Sequence, residues 1–351
     1  MAQIDKPNLH FNTVTWTGTG DATTTVSGVG FQPDWTWIKN RSVGDDHALF
    51  DSVRGVEKVL FSNATNAEST NTESLTAFNA DGFVTGNHRG TGGDAGNGMV
   101  SWNWKAGTTG SGTTTGSGTG KAYSYSVNTT AGFSVIKYTG NGSAGQQIPH
   151  HLGTIPHTII VKNLSDSGGQ SWNVYHHRLD ISSPQNFTIF LNAQSARSDE
   201  QVWNDYSPTS TVFQIGSARK TNYNDDNYIA YCFAEKKGYS KFGTYTGTGN
   251  ADGPFMYCGF KPALILGKVR SDSNDWWIFD NTRSEFNVTN QGLFPNNSNT
   301  ESTDHAIDIY SNGFKIKDND GTVNPSGQTL VYWAWAENPI VGSNNIPAVA
   351  R

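Results

Sequence analysis

Cysteine is nearly absent from this chain. Only Cys232 and Cys258 occur in 351 residues, which excludes a disulfide framework and a cysteine-rich zinc site. Two such thiols read as small buried hydrophobes. Charge is sparse as well: Asp, Glu, Lys and Arg make up 15% of the residues, against about 25% in an average globular domain. The balance is acidic, at −6, so the basic face that nucleic-acid binding requires is missing and no nucleic-acid partner is expected. No apolar run approaches the ~18 residues of a membrane span, so no membrane insertion is expected. The stretch Met1–Pro7 has no apolar h-region, and no secretory signal is expected. No long segment has the 3.6-residue period of an amphipathic helix.

Glycine (39 residues) and aromatics (12%, with 11 Trp) are plentiful. With abundant Ser, Thr and Asn, they fit short strands, turn-rich loops and aromatic cores.

The dominant feature is repetition. An aromatic-Thr-Gly-x-Gly phrase opens three segments, at Trp16–Gly20, Tyr138–Gly142 and Tyr245–Gly249. A proline follows each, Pro33, Pro156 and Pro262, and six residues later a lysine, Lys39, Lys162 and Lys268. An aromatic strand then ends on a polar corner: Phe50-Asp51 with Arg54, and Phe279-Asp280 with Arg283. The second copy has Tyr175-His176 there, with Arg178 nearby. Each copy closes on an aromatic strand: Val100–Trp104, Ile229–Phe233 and Val331–Trp335. Landmarks in one order, three times, define three tandem units of roughly 100 residues, each of ordinary domain size.

Short alternating strands between Gly and Asn turns indicate an all-β chain of three tandem β-sandwich (jelly-roll, lectin-like) units. The boundaries read as 1–106, 123–237 and 238–341, with a Gly/Ser/Thr linker over 107–122 and a C-terminal tail over 342–351. The linker composition predicts a flexible tether, so unit one is expected to hang loosely beside a rigid pair. In the first closing strand, Val100, Trp102 and Trp104 alternate with Ser101, Asn103 and Lys105, which predicts one wet face. In the third, both registers are apolar, which predicts cover on both faces.

Few constellations point to chemistry. Lys39, Asp51 and Arg54, with Lys268, Asp280 and Arg283, are expected to form a structural polar corner, because a charge beside a buried aromatic must be paired. The adjacent histidines His150-His151 and His176-His177 point to opposite strand faces, so no metal site is expected. Asp318-Asn319-Asp320-Gly321 is half of a calcium loop without its bidentate Glu, so no cofactor is expected beyond a conceivable structural Ca²⁺. No Gly-x-Ser-x-Gly elbow and no strand of spaced catalytic carboxylates occurs, so catalytic residues are expected to be none. Trp276, Trp277 and Trp172 are the candidates for stacking on sugar rings. Loops over 86–98, 163–170 and 198–207 differ between the copies and are where specificity is expected.

The phrases at Gly30–Arg41, Phe50–Gly55, Gly238–Gly243 and Ala336–Pro339 resemble a repeat family in virion proteins of tailed phages, especially marine ones. The resemblance runs over residues 7 to 351. Copy two departs most, lacking Gly-Phe before Pro156 and Asp at position 176. That family implies concanavalin-like sandwiches and a role as tail-fibre, head-fibre, capsid-decorating or host-recognition component, with no catalytic residues to carry over. The expectation is a non-enzymatic virion protein, localised on the particle. It would assemble with other virion proteins, form a homo-oligomer and contact host-surface polysaccharide. Alternatives are a capsid cement or tail component that only grips neighbouring subunits, and a glycan depolymerase.

Overall fold

A computed structural model describes residues 3–341, and the tail expected over 342–351 lies outside them. The chain is almost entirely antiparallel β-structure, with one four-residue α-helix, Arg219–Asn222, among the described residues. Each unit is a sandwich of one large and one small sheet. In unit one the large sheet runs in the order Phe11–Thr17, Gly98–Trp104, Trp35–Asn40, Ala48–Asp51, Lys58–Phe61 and Ser69–Thr70. Its small sheet is Thr24–Ser27, Gly82–Thr85 and Leu75–Asn79. Unit three repeats the beginning of that order with Ser240–Thr246, Thr329–Pro339, Phe260–Val269 and Trp277–Asp280.

Unit two shows the same order with two extra strands at its edge, and the outer one, Thr108–Thr113, comes from the segment expected to be a tether. Thr108–Thr113 pairs with Ala122–Asn128, which pairs in turn with Phe133–Thr139. Two tyrosines allow a Gly/Ser/Thr stretch to hold as a strand. Tyr125 lies across Gly110 and Tyr123 across Gly112, each opposite its glycine in register. The aromatic ring covers backbone that a glycine would otherwise leave bare. The segment is the outer strand and turn of a hairpin on the second sheet, and composition alone misread it.

Each unit has its own core between its two sheets, built around Phe50 and Phe83 in unit one, Tyr138 and Trp203 in unit two, and Phe279 and Phe314 in unit three. The outer faces of the three large sheets meet in a fourth core shared by all units. The units are therefore not beads on a string, and unit one is held as firmly as the others. At the centre stand Trp104, Phe233 and Trp335, which hold corresponding places in the closing strands. Their ring centroids form a triangle with sides of 6.2, 5.3 and 5.4 Å, all edge-to-face. Edge-to-face packing is the favoured geometry for such rings. One chain thus closes on itself as a pseudo-trimer.

That closure explains the closing strands. In unit three, Trp333 and Trp335 face the shared core while Tyr332, Ala334 and Ala336 face the unit's own, as the doubly apolar pattern predicts. In unit one the expected wet face is dry: Ser101 and Asn103 are fully buried. The Asn103 amide donates to Ser101 Oγ at 2.9 Å, so part of the polar content is satisfied inside the sandwich.

Corresponding core positions trade volume between units. Gly267 faces Trp277 across the third sheet, where unit one has Ile38 opposite Ala48 and unit two has Val161 opposite Asn173. A Cβ on Gly267 would lie 2.0 Å from Trp277 Cζ2. The variant Gly267→Ala is expected to lose about 1–3 kcal/mol through overpacking. The double variant Gly267→Ile with Trp277→Ala, which copies unit one, should recover much of that loss. Thermal unfolding of both checks the expectation; an unchanged midpoint for Gly267→Ala would refute the packing argument.

Candidate functional site

The recurring aspartate–arginine corners sit where units meet. Asp51 Oδ1 accepts from the backbone N–H groups of Val53 and Arg54 at 3.1 and 2.8 Å. Its Oδ2 accepts from Arg54 Nε at 2.5 Å and from the Tyr231 hydroxyl of unit two at 2.8 Å. Asp280 repeats this with Thr282, Arg283 and the Trp102 indole of unit one, at 3.0, 2.8, 2.6 and 3.0 Å. Both aspartate–arginine pairs are fully shielded from solvent. Burial opposes the charge on Arg54, but Asp51, Tyr231 and Glu68 outweigh it and raise its pKa above the ordinary arginine value. Glu301 binds Arg283 and also takes both arms of Arg41 from unit one at 2.8 Å, a bidentate brace across that interface.

Unit two solves the same problem without charge. His176 takes the aspartate's place, and Leu179 takes the place of Arg54 three residues on. His176 Nδ1 accepts from the Arg178 N–H at 3.0 Å, which leaves the ring proton on Nε2, facing the Tyr332 carbonyl. Burial holds this imidazole far below its ordinary pKa, so it is neutral. The Trp333 indole of unit three, equivalent to Tyr231 and Trp102, donates to Thr158 Oγ1 instead, at 3.0 Å. The donors run in one cycle, from unit two to one, from one to three and from three to two.

Lys39 and Lys268 do not belong to this corner. Lys39 lies four positions beyond Trp35, the residue paired with Asp51, and a strand rises about 3.3 Å per residue. Its Nζ donates to the carbonyls of Asn40 and of Ser298 in unit three, at 2.7 and 3.3 Å. Lys162 reaches Asn163 and Thr65 of unit one, both at 3.0 Å, and Lys268 reaches Val269 and Asp272 at 2.7 and 3.3 Å. Burial pulls all three ammonium groups down to about 8, against partial opposition from nearby aspartates. They tie loops together at the far end of the strand.

The tryptophans expected to stack on sugars are also internal. Trp172, Trp276 and Trp277 are fully buried, so none can present a ring face to a ligand. Trp172 donates to the Phe61 carbonyl of unit one and Trp276 to the Phe190 carbonyl of unit two, both at 2.9 Å. His47 holds the third equivalent place: it accepts from the Trp37 indole at 2.9 Å and faces the Phe294 carbonyl without completing a hydrogen bond. Of the variable loops, 163–170 packs onto unit one, where the Gln170 N–H donates to Thr65 at 2.9 Å.

Among the described residues, no three His, Cys, Asp or Glu side chains converge as a metal site. Asp318 and Asp320 instead cap their own turn and flank His305 at 3.3 and 3.8 Å.

Among the clefts that open to solvent, one lies where each pair of units meets, and another, about 350 Å³, lies on unit two beside Tyr123 and Lys137. Each interface cleft lies at or just past the C-terminal end of a closing strand, beside the first strand of the neighbouring sheet. The cleft between units one and two, about 580 Å³, is lined by Asp34, Lys105, Thr109 and Tyr125. That between two and three, about 530 Å³, is lined by His157, Glu235, Lys236, Lys237, Lys241 and Tyr257. The third, between three and one, is about 160 Å³ and carries Asn12, Asn281 and Glu337. The landmarks carry no sign of these clefts, because their walls come from two units at once. The one available signal was Lys236-Lys237, the single Lys-Lys pair in the sequence.

Fold and interfaces together define a class: a single-chain pseudo-trimer of two-sheet β-sandwiches with a shared aromatic axis. Residues 6–339 match the family model described as "Domain of unknown function (DUF7483)", and the chain belongs to that family. One model spans all three units, as the shared core does. No curated protein matches the chain.

Proposed function

We propose that this protein is a non-enzymatic structural component of a tailed-phage particle, displayed on the particle surface and in contact with host-surface glycan. The observation that carries the reading is where the recurring residues go. The buried aspartate–arginine corners and the closing-strand rings Trp104, Phe233 and Trp335 are spent on closing the pseudo-trimer, which is what a framework requires and a repeated active site does not. The small sheets form the outer layer, facing away from the shared axis. A chain that already encloses a trimer can present three different outer surfaces, where a homotrimer presents one surface three times. The lectin-like character suggested by the family resemblance belongs to this proposal and rests on fold-level analogy.

A purely structural role as capsid cement is the second reading. It is favoured by exposed apolar side chains on the loop after the third corner, Phe286 at 70% and Val288 at 47% exposure. Apolar residues grouped on a surface mark sites of protein contact. Mass spectrometry of purified particles, followed by a reconstruction, tests the proposal. Density on the outer surface of head or tail is expected. Absence from particles would refute the virion reading, and burial between capsomers would refute display.

A further inference from the structure

We propose that unit three cross-links itself: the Lys261 side-chain amine displaces ammonia from the Asn281 carboxamide, with Glu337 carrying the protons, and an amide bond then joins two neighbouring strands. This chemistry goes beyond the display reading above and does not depend on it.

The first observation is that three side chains converge on one oxygen. Lys261 Nζ lies 3.1 Å from Glu337 Oε2, and Asn281 Nδ2 donates to that same oxygen. The attacking nitrogen and the leaving nitrogen are both within reach of one proton carrier. Lys261 and Asn281 are each 4% exposed, so bulk water competes little with the amine. The Thr282 hydroxyl donates to Asn281 Oδ1 at 3.4 Å, the oxygen that gathers negative charge when the carboxamide carbon is attacked.

The second observation is how the backbone brings them together. The Asn281 N–H donates to the Ala263 carbonyl at 2.9 Å, which sets Asn281 diagonally across from Lys261 on the adjacent strand, within range of a long side chain. On the other side of the Phe260–Val269 strand, the pairing with Thr329–Pro339 slips beside Lys261 and again beside Pro262. Lys261 stands opposite Asn338 and Pro262 opposite Ala336, so Glu337 is the extra residue of a bulge. Bulges re-aim a side chain and are over-represented beside active sites. Here Glu337 reaches across the lysine's strand to Asn281.

The other two units act as internal controls. The residue before the landmark proline is Gln32, Ile155 or Lys261. The residue after the corner is Ser52, His177 or Asn281, and the second residue beyond Trp104, Phe233 or Trp335 is Ala106, Glu235 or Glu337. Only unit three has amine, carboxamide and carboxylate together. Units one and two fold the same sandwich without the trio, so the framework does not require it. Asn281 and Glu337 also line the cleft between units three and one, which gives ammonia a way out.

The step balances without a co-reactant. A proton passes from Lys261 Nζ to Glu337 Oε2 and leaves a neutral amine. The amine attacks Asn281 Cγ, and a C–N bond forms. Glu337 gives its proton to Nδ2 and accepts one from Nζ. The Cγ–Nδ2 bond breaks, and ammonia leaves with the proton that remains on Glu337. Nothing is oxidised or reduced. Fixed proximity stands in for an external catalyst. The chain acts once on itself and turns nothing over.

Mass spectrometry of the full chain, unfolded in acid, tests this. The wild-type mass is expected about 17 Da below that of the sequence, the mass of ammonia. Its trypsin digest should contain a branched peptide joining residues 242–268 to 271–283. Glu337→Gln and Lys261→Arg are each expected at the full mass of their own sequence, with the two peptides separate. Circular dichroism checks that both variants keep the β-structure, and the wild-type mass decides whether the bond exists even where a variant fails to fold. The proposal is overturned by a wild-type chain at full mass with separate peptides, by an ammonia loss that maps to other residues, or by a loss that persists in either variant.

Discussion

The variant Asp51→Ala is expected to lose about 3–5 kcal/mol of unfolding free energy, because it strands the Arg54 guanidinium in the interior. Nothing else near Arg54 can take over fully. Its remaining partners are the Leu49 and Lys58 carbonyls at 3.0 and 2.9 Å and Glu68 at 3.3 Å. The same change leaves the Tyr231 hydroxyl of unit two without its acceptor, so the damage crosses the interface. Unit two shows how the loss can be avoided, since His176 and Leu179 stand there and both charges are gone together. The double variant Asp51→His with Arg54→Leu is therefore expected to recover more than half of the loss. Urea unfolding at pH 7 of the two variants decides it. A cost below about 1 kcal/mol for Asp51→Ala would show that the pair is not a brace, since a surface pair has that value.

Acid should loosen the pseudo-trimer well before carboxylates titrate. His10, His47, His150, His151, His157, His176 and His177 all have folded pKa values lowered chiefly by burial. For a depressed histidine, the unfolded chain takes up a proton near pH 6.5 while the folded protein does not. Unfolding then binds protons, and stability falls as pH falls. For His150, brought down to about 4, the loss reaches about 3 kcal/mol near pH 4. His47 and His176 are also held well below the ordinary histidine value by burial. The window is thus from pH 6.5 down to about 4. Four of these residues, His47, His157, His176 and His177, sit where unit three meets its neighbours, with His177 donating to the Phe242 carbonyl at 2.7 Å. Melting temperature measured from pH 7.5 to 4 should fall steadily through this range, and a flat profile between 7 and 5 would contradict it.

The buried charges also show why the candidate site was only partly legible beforehand. The Asp–Arg spacing of three residues is local, and a turn capped by its own aspartate can be read from it. That the same aspartate accepts from a neighbouring unit depends on a contact between positions 51 and 231. The tryptophans illustrate the reverse error. Neighbouring Trp276 and Trp277 must point to opposite sides of a strand, which made them candidates for a sugar-stacking face. Both sides are covered, one by the unit's own small sheet and the other by unit two.

By itself the sequence determined the triplication, most of the strand positions and turns, and the aspartate–arginine part of the polar corner of units one and three. These rest on period-two alternation, glycine and asparagine turn chemistry and short-range pairing, all of which act within a few residues. Only the tertiary structure decided that three sandwiches close around Trp104, Phe233 and Trp335, that the Gly/Ser/Thr stretch forms the outer strand of a hairpin, and that Ser101 and Asn103 are dry. It also decided where solvent-lined clefts remain. The physical reason is that burial belongs to a surface and whatever covers it, and here the cover for each unit is supplied by residues roughly 100 or more positions away, one domain length along the chain.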